Sequence, residues 1–196
     1  MLINQSKYDG SLIHQSGFCY KYFKDKVLPT GNIILFRAPM EVTLNLIDLE
    51  DSLNQDYIYS EDAINLCWEI PNLDPLGAVF FQRLFNTQLA QVLYKLIQKP
   101  IAVDGDDLIV FDLEMPKTNK FVEGGRGKCS VSIAYSKNNV AIGHTGINII
   151  AGPKAPDFAY STKLTNEQLQ TFCNDAMMTF YTITHDSFVA CTKICV

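Results

Sequence analysis

Polar and apolar positions along this chain follow two periods. From Leu76 to Gln98 the apolar residues Leu76, Val79, Phe80, Leu84, Leu89, Val92, Leu93, Leu96 and Ile97 recur largely at helical spacing. Asp74-Pro75 opens this run and Pro100 follows its end, which predicts one long amphipathic helix. A second helix is predicted over residues 166–180 with Thr165 as its N-cap, and a short one over 61–69 with Ser60 as cap before Glu61-Asp62. Elsewhere the period is two. Asn32 to Arg37 is rich in β-formers, and Glu41 to Ile47 alternates Val42, Leu44 and Leu46 with Thr43 and Asn45. Together they predict a hairpin turned around Ala38-Pro39. Strands are predicted at 101–103, 107–113, 128–135 and 140–149, with Ser136-Lys-Asn-Asn139 as the last hairpin connection and 186–194 as a closing strand. Strands cluster instead of alternating with helices. The expected architecture is α+β, a mixed or antiparallel sheet packed by two main helices, in a single domain over residues 1–196.

Composition narrows the class. Hydrophobic residues make up 47% and charged residues 19%, which is enough apolar material to bury a core and sets the chain apart from disordered sequences. A net charge of −5 disfavours nucleic acid, whose broad phosphate binding needs concentrated lysine and arginine. The six cysteines form no C-x-x-C pair and read as reduced, mostly buried thiols of an intracellular protein. The start lacks a signal-peptide pattern and no apolar run approaches a membrane span, so the expected location is the cytoplasm without a membrane partner. No His/Cys/Asp grouping has metal-ligand spacing, and no metal site is expected.

Candidate chemistry concentrates between Val103 and Ile149. Asp106 and Asp107 follow Gly105 at a turn entering a strand, where solvated turn carboxylates are the common outcome and an acid–base or ligand role is the alternative. Lys128 opens the next strand, expected to share a polar face with Ser130 and Ser132 while Cys129, Val131 and Ile133 face the core. It is an edge charge or the partner of an anionic substrate group. His144 alternates with Val140, Ile142 and Gly146 on one face, as a satisfied sheet histidine or a proton donor near neutral pH. The small residues Ser130, Ser132, Gly143 and Gly146 are expected to let a flat ligand lie on the sheet. Gly124-Gly-Arg-Gly127 lacks the ending of a phosphate loop and reads as a long hairpin loop or a lid carrying Arg126.

The ordered set Gly105-Asp-Asp-Leu108, Lys128-x-Ser-Val-Ser-Ile-Ala134 and His144-Thr-Gly-Ile-Asn148, with Tyr8-Asp-Gly-Ser11, Ile47-Asp-Leu-Glu-Asp51 and His185-Asp-Ser187, resembles domain-of-unknown-function family three-six-six over nearly the whole chain. Residues 114–127 depart from the family as an insertion, and Cys129 stands where it tends to have an aliphatic residue. The family looks like a remote relative of the biotin and lipoate protein ligases, and Lys128 matches the ligase lysine that contacts the acyl-adenylate. The glycine- and arginine-rich adenylate loop of biotin ligases has no counterpart, which puts ATP-dependent ligation in doubt.

The resemblance further implies a role in 7-deazaguanine metabolism, with 7-carboxy-7-deazaguanine as substrate and loss of its carboxylate as the reaction. In that reading Lys128, Asp106, Asp107 and His144 act in catalysis. Asp9, Ser11, Glu50, Asp51, Arg126, Ser130, Ser132 and Asn148 surround the substrate, with Phe18 or Tyr20 stacking on its ring. The reaction asks for no cofactor. The expected partner is the small-molecule substrate, with a homodimer as the candidate assembly. An acyl or lipoyl-type ligase or transferase and a non-catalytic nucleobase-binding module are the alternatives.

Overall fold

Tertiary pairing decides which local signals survive. The computed structural model describes residues 5–113 and 125–194. In chain order it holds α1 (Phe18–Phe23), β1 (Asn32–Val42), α2 (Leu49–Asn54), β2 (Ile58–Pro71), α3 (Pro75–Ile97), β3 (Ile101–Asp104), β4 (Asp107–Phe111), β5 (Arg126–Lys128), β6 (Ser130–Lys137), β7 (Val140–Ile150) and α4 (Asn166–Cys191). One sheet has the order β1-β2-β7-β6 and a smaller one the order β3-β4-β5, and every pairing within them is antiparallel. The α+β expectation holds.

The capped helices follow the sequence. Asp74 accepts from the Gly77 amide at 2.6 Å with Pro75 in the first turn of α3, and Gln98 closes it in the left-handed region at φ 54°. Thr165 and Gln168 form a capping box at the start of α4, through Gln168 N to Thr165 Oγ1 at 3.2 Å and Thr165 N to Gln168 Oε1 at 2.9 Å. Asn138 and Asn139 both take positive φ between the paired Lys137 and Val140, which makes the predicted connection a two-residue turn.

The predicted 128–135 strand is divided at Cys129 between β5 and β6, and three further predicted elements differ in the structure. In place of the expected 32–47 hairpin stands one continuous strand, β1, which ends at Val42 and whose register shifts between Ala38 and Met40. Proline has no amide to give a ladder, and the shift leaves Pro39 outside the pairing while its carbonyl accepts from Tyr8 at 2.9 Å. The expected 61–69 helix is the middle of β2. This strand lies between β1 and β7 and is buried on both faces from Ala63 to Ile70, so it shows no alternation to read. Ser60 caps no helix; its hydroxyl donates to the carbonyls of Asp62 and Ile150, each at 3.0 Å. The expected 186–194 strand is the continuation of α4 to Cys191, where helix elongation from a well-capped start overrides the β preference of Phe188 and Val189.

The large sheet carries a core on each face. Helices α3 and α4 cover one, packing Phe81, Phe85, Phe172 and Phe180 against Trp68, Leu66 and Ile147. The N-terminal residues cover the other, where Tyr8, Ile13, Phe18 and Cys19 meet Phe36, Met40 and Ile142. That cover is fixed by Glu69, whose carboxylate accepts from the amides of Gly17, Phe18 and Cys19 at the start of α1. The two sheets join at Cys129: its amide donates to Leu108 O of β4 and its carbonyl accepts from Asn148 N of β7, both at 2.9 Å.

Gly143 shows how closely the helix-side core is packed. A Cβ there would sit 2.1 Å from Trp68 Cζ2 and 2.3 Å from Cε2, and both backbones are locked into the β2–β7 ladder. Gly143→Ala is expected to cost about 1–3 kcal/mol through overpacking. Its urea unfolding midpoint should fall at unchanged slope, and a midpoint equal to that of the native protein would contradict this packing.

Candidate functional site

On the N-terminal face of the large sheet, a cleft of about 320 Å³ opens between the turn at Gly10, α2, and the β4 end of the small sheet. Its charged lining is lopsided: Asp48, Glu50, Asp51, Asp106 and Asp107 face it together with Lys128. The apolar floor includes Val131 and Ile133 of β6, with Tyr8 and His144 beside them.

Each charged group is placed by local structure. Asp48 caps α2, accepting from Glu50 N at 2.8 Å and Asp51 N at 3.2 Å, and so turns the first residues of that helix towards the cleft. Lys128 is held by backbone bonds on both sides. It pairs with Ile109 of β4, while its amide donates to Phe158 O and its carbonyl accepts from Tyr160 N, both at 2.8 Å. Its Nζ lies 2.8 Å from Asp107 Oδ1, with both side chains about one-third exposed. Burial raises the Asp107 pKa above the ordinary aspartate value, with Lys128 opposing and Asp106 and Asp104 adding to the rise. Burial also raises Asp51, helped by Asp48 and Asp56 and opposed by Lys128. One lysine therefore offsets carboxylates on two elements.

Asp106 turns the other way. Arg83 NH1 lies 3.4 Å from its Oδ1, Gln82 Nε2 reaches its Oδ2 at 3.5 Å, and Asn86 Nδ2 donates to its backbone carbonyl at 2.8 Å. It borders the cleft as part of the α3 contact, while Asp107 carries the pairing with Lys128.

His144 is 3% exposed, stacks on Tyr8 with ring centroids 4.0 Å apart, and places Nε2 2.9 Å from Asn65 Oδ1. Asn65 Nδ2 donates to Ala38 O at 3.2 Å, so Oδ1 accepts and Nε2 carries the imidazole proton. Burial lowers the His144 pKa to about 3. The ring is thus neutral near pH 7, and the expected proton donor is instead a structural imidazole at the cleft wall.

The structure separates several other residues that sequence reading grouped together. Asp9 holds the 9–11 turn, accepting from Ser11 N at 3.0 Å and Ser11 Oγ at 2.6 Å, and these bonds hold its carboxyl below the ordinary range. Neither it nor Ser11 lines the cleft. Arg126 stands outside it too, over the Phe111 ring at 5.7 Å and 3.9 Å from Asp104. The rest of the expected insertion, residues 114–124, lies outside the described residues. Phe18 is buried in the core beneath α1 and Tyr20 points to solvent, so neither is placed to stack on a ligand in the cleft.

The expected polar face of β6 is replaced by a mixed one, on which Val131, Ser132 and Ile133 all line the cleft. Ser130 Oγ accepts from Leu108 N at 2.8 Å, and Ser132 Oγ takes the Gln82 amide at 2.9 Å on the helix side. Val131 and Ile133 face the cleft with Lys128, because the passage between sheets at Cys129 shifts the alternation by one residue. Gly143 backs onto Trp68, and Gly146 lets Met40 Sδ approach to 2.4 Å of where a Cβ would stand. The two glycines serve packing inside the sheet, while Ser132 remains among the cleft-lining residues. Sequence reading missed Asp48 as a cleft residue, although Asp48 two and three residues before Glu50 and Asp51 is an N-cap signal. It also missed Tyr8, which no periodicity marks.

Among the described residues, no group of three or more His, Cys, Asp or Glu side chains is placed to hold a metal ion, and no helix is long and apolar enough to cross a membrane.

Comparison with known proteins gives the fold relatives. A protein of unknown function from Pyrococcus horikoshi superposes with a TM-score of 0.79 at 21% identity, covering 100% of this chain and 97% of that one. A mutant biotin protein ligase from Aquifex aeolicus in complex with biotin gives a TM-score of 0.57 at 11% identity, over 95% of this chain and 70% of that one. A bipartite lipoate protein ligase from Thermoplasma acidophilum gives 0.51 at 10% identity, over 94% and 83%. No curated protein matches the sequence. At these identities the likeness establishes a biotin/lipoate-ligase-like fold. Residues 1–194 match the family described as Domain of unknown function (DUF366), and the chain belongs to that family.

Proposed function

We propose that this protein is a carboxy-lyase that converts 7-carboxy-7-deazaguanine to 7-deazaguanine. The observation that carries the reading is the Lys128–Asp107 pair, 2.8 Å apart on the wall of a cleft whose other charged residues are all carboxylates. A substrate carboxylate finds one cation there, Lys128, amid negative charge. Its departure as neutral carbon dioxide relieves that repulsion, and the field of Lys128 stabilises the electron pair left on the ring carbon. The bond from that carbon to the carboxylate breaks, and a new carbon–hydrogen bond forms with a proton from the Lys128 ammonium. Solvent then reprotonates the amine. The balance is one substrate carboxylate and one proton in, one ring C–H and one carbon dioxide out. Asp107 holds the ammonium in place, while Glu50 and Asp51 offer acceptors for ring N–H donors. His144, neutral and hydrogen-bonded, supports the cleft wall.

The fold likeness supports a second reading, an ATP-dependent acyl or lipoyl-type ligase or transferase. It predicts release of pyrophosphate from ATP in the presence of a carboxylic acid. The carboxy-lyase needs no ATP.

Purified protein incubated with 7-carboxy-7-deazaguanine is expected to release carbon dioxide and 7-deazaguanine without ATP. Lys128→Ala should lower kcat by about 100-fold or more, the scale of a lost proton donor. Absence of turnover by the native protein, or native rates in the variant, would refute the assignment.

Asp107 must be ionised to hold Lys128, and its pKa is raised by burial. The acid limb of kcat/KM should therefore lie above the ordinary aspartate range, and Asp107→Asn should abolish that limb. The stability sign runs opposite to that of a salt-bridged aspartate with a lowered pKa. A raised folded-state pKa contributes stability that is present below the unfolded value and lost as pH rises through the folded one. Native and Asp107→Asn unfolding midpoints followed across the acid range test this, and a native midpoint that gains from Asp107 ionisation would contradict it.

A further inference from the structure

Lys128 borders two cavities. Beside the acidic cleft is a second one of about 410 Å³ that shares Asp51, Ile58, Lys128 and Val131 with the first. Its other walls have a different character: Tyr57, Tyr59 and Phe158 bring aromatic rings, and Asn148 of β7 brings an amide.

Asn148 has a fully paired backbone. Its amide donates to Cys129 O at 2.9 Å, and its carbonyl accepts from Thr162 N at 3.0 Å and Thr162 Oγ1 at 2.7 Å. The side chain is 3% exposed, yet its Oδ1 has no hydrogen-bond partner. Buried carbonyl oxygens almost always find a donor, so one left unpaired on a residue that lines a cavity points to a donor supplied from that cavity. The other unpaired buried side-chain atom among the described residues, Trp68 Nε1, belongs to the helix-side core and lines neither cavity.

Three features of this compartment agree on a ligand class. Aromatic walls favour a planar ring. An open acceptor selects an N–H edge over a ring nitrogen lone pair. The shared Lys128 lets an anionic substituent of the same molecule reach the Lys128–Asp107 pair without a second binding event. We propose that this aromatic compartment holds the ring of a planar heteroaromatic ligand by an N–H edge donated to Asn148 Oδ1, so that one ligand spans both cavities across Lys128. The identity of the ring, a 7-deazaguanine, rests on the proposed function; the donor-selecting role of Asn148 rests on the open acceptor.

The test uses the whole protein, 7-deazaguanine as the probe, and calorimetric binding with thermal melting as the readouts. Native protein is expected to bind the base. Asn148→Leu, close in size and without an acceptor, should weaken binding by about tenfold, the scale of a lost buried hydrogen bond. The same variant should melt at or above the native temperature, because no hydrogen bond of the fold is removed. Asn148→Asp keeps an acceptor oxygen of the same shape and should bind within a few-fold of native.

Four results would overturn the inference: no binding of the base by native protein, equal binding by native and Asn148→Leu, a lower melting temperature for Asn148→Leu, or binding of the nucleoside 7-deazaguanosine in place of the free base. Carbon dioxide release from 7-carboxy-7-deazaguanine is read separately. Binding that depends on Asn148 without turnover would refute the carboxy-lyase and leave the compartment standing. Turnover without that dependence would do the reverse.

Discussion

Two amides on the sheet-facing side of α3 set the geometry of this molecule. Gln82 and Asn86 are buried amid aromatic and aliphatic side chains, where an amide without a partner is costly. Gln82 donates to Ser132 Oγ of β6, which also lies 3.0 Å from Thr145 Oγ1 of β7. Asn86 accepts from Thr145 Oγ1 at 3.0 Å and donates to Asp106 O at 2.8 Å. Apolar contacts alone would tolerate a sliding helix; these bonds do not, since any shift along the sheet orphans several polar groups at once. The same bonds tie the 104–107 turn to the helix, and the turn delivers Asp107 to Lys128. The site's central pair is thus set from a helix that contributes no charge to it.

The fold was legible where the signal was local. Asp74-Pro75 and Thr165 with Gln168 announce helix starts through the amides they satisfy, and the Asn138-Asn139 turn announces a hairpin through its left-handed backbone. β2 was not legible, because a central strand covered on both faces has no polar side, and its Ser60-Glu61-Asp62 start imitates a helix cap. The 186–194 segment failed for the opposite reason: its β-branched and aromatic residues obey a helix begun some twenty residues earlier.

The candidate site divides along similar lines. Asp107 and Lys128 could be singled out because each stands at a strand end beside a glycine-containing turn or loop, and the structure brings them together. The serine face could not be read, since strict alternation through 128–133 assumes one strand, whereas the chain changes sheets at Cys129. Asp48, Tyr8 and the aromatic trio of Tyr57, Tyr59 and Phe158 reach the two cavities from segments far apart in sequence. No spacing rule links them, and only the closed fold does. The ligase-like likeness fixes the fold alone, while the chemistry depends on the side chains this sequence places along the cleft.

The two-sided backbone anchoring of Lys128 has an entropic consequence. A free lysine samples many rotamers, and immobilising one costs up to about 2 kcal/mol of conformational freedom. Here β4 and the 158–160 segment fix the main chain at Lys128, and Asp107 gathers the ammonium. Much of that freedom is surrendered when the protein folds, before any ligand arrives. A molecule entering the cleft then meets a charge already in position, so that less of its own interaction energy goes into ordering the site and more is left to discriminate among ligands.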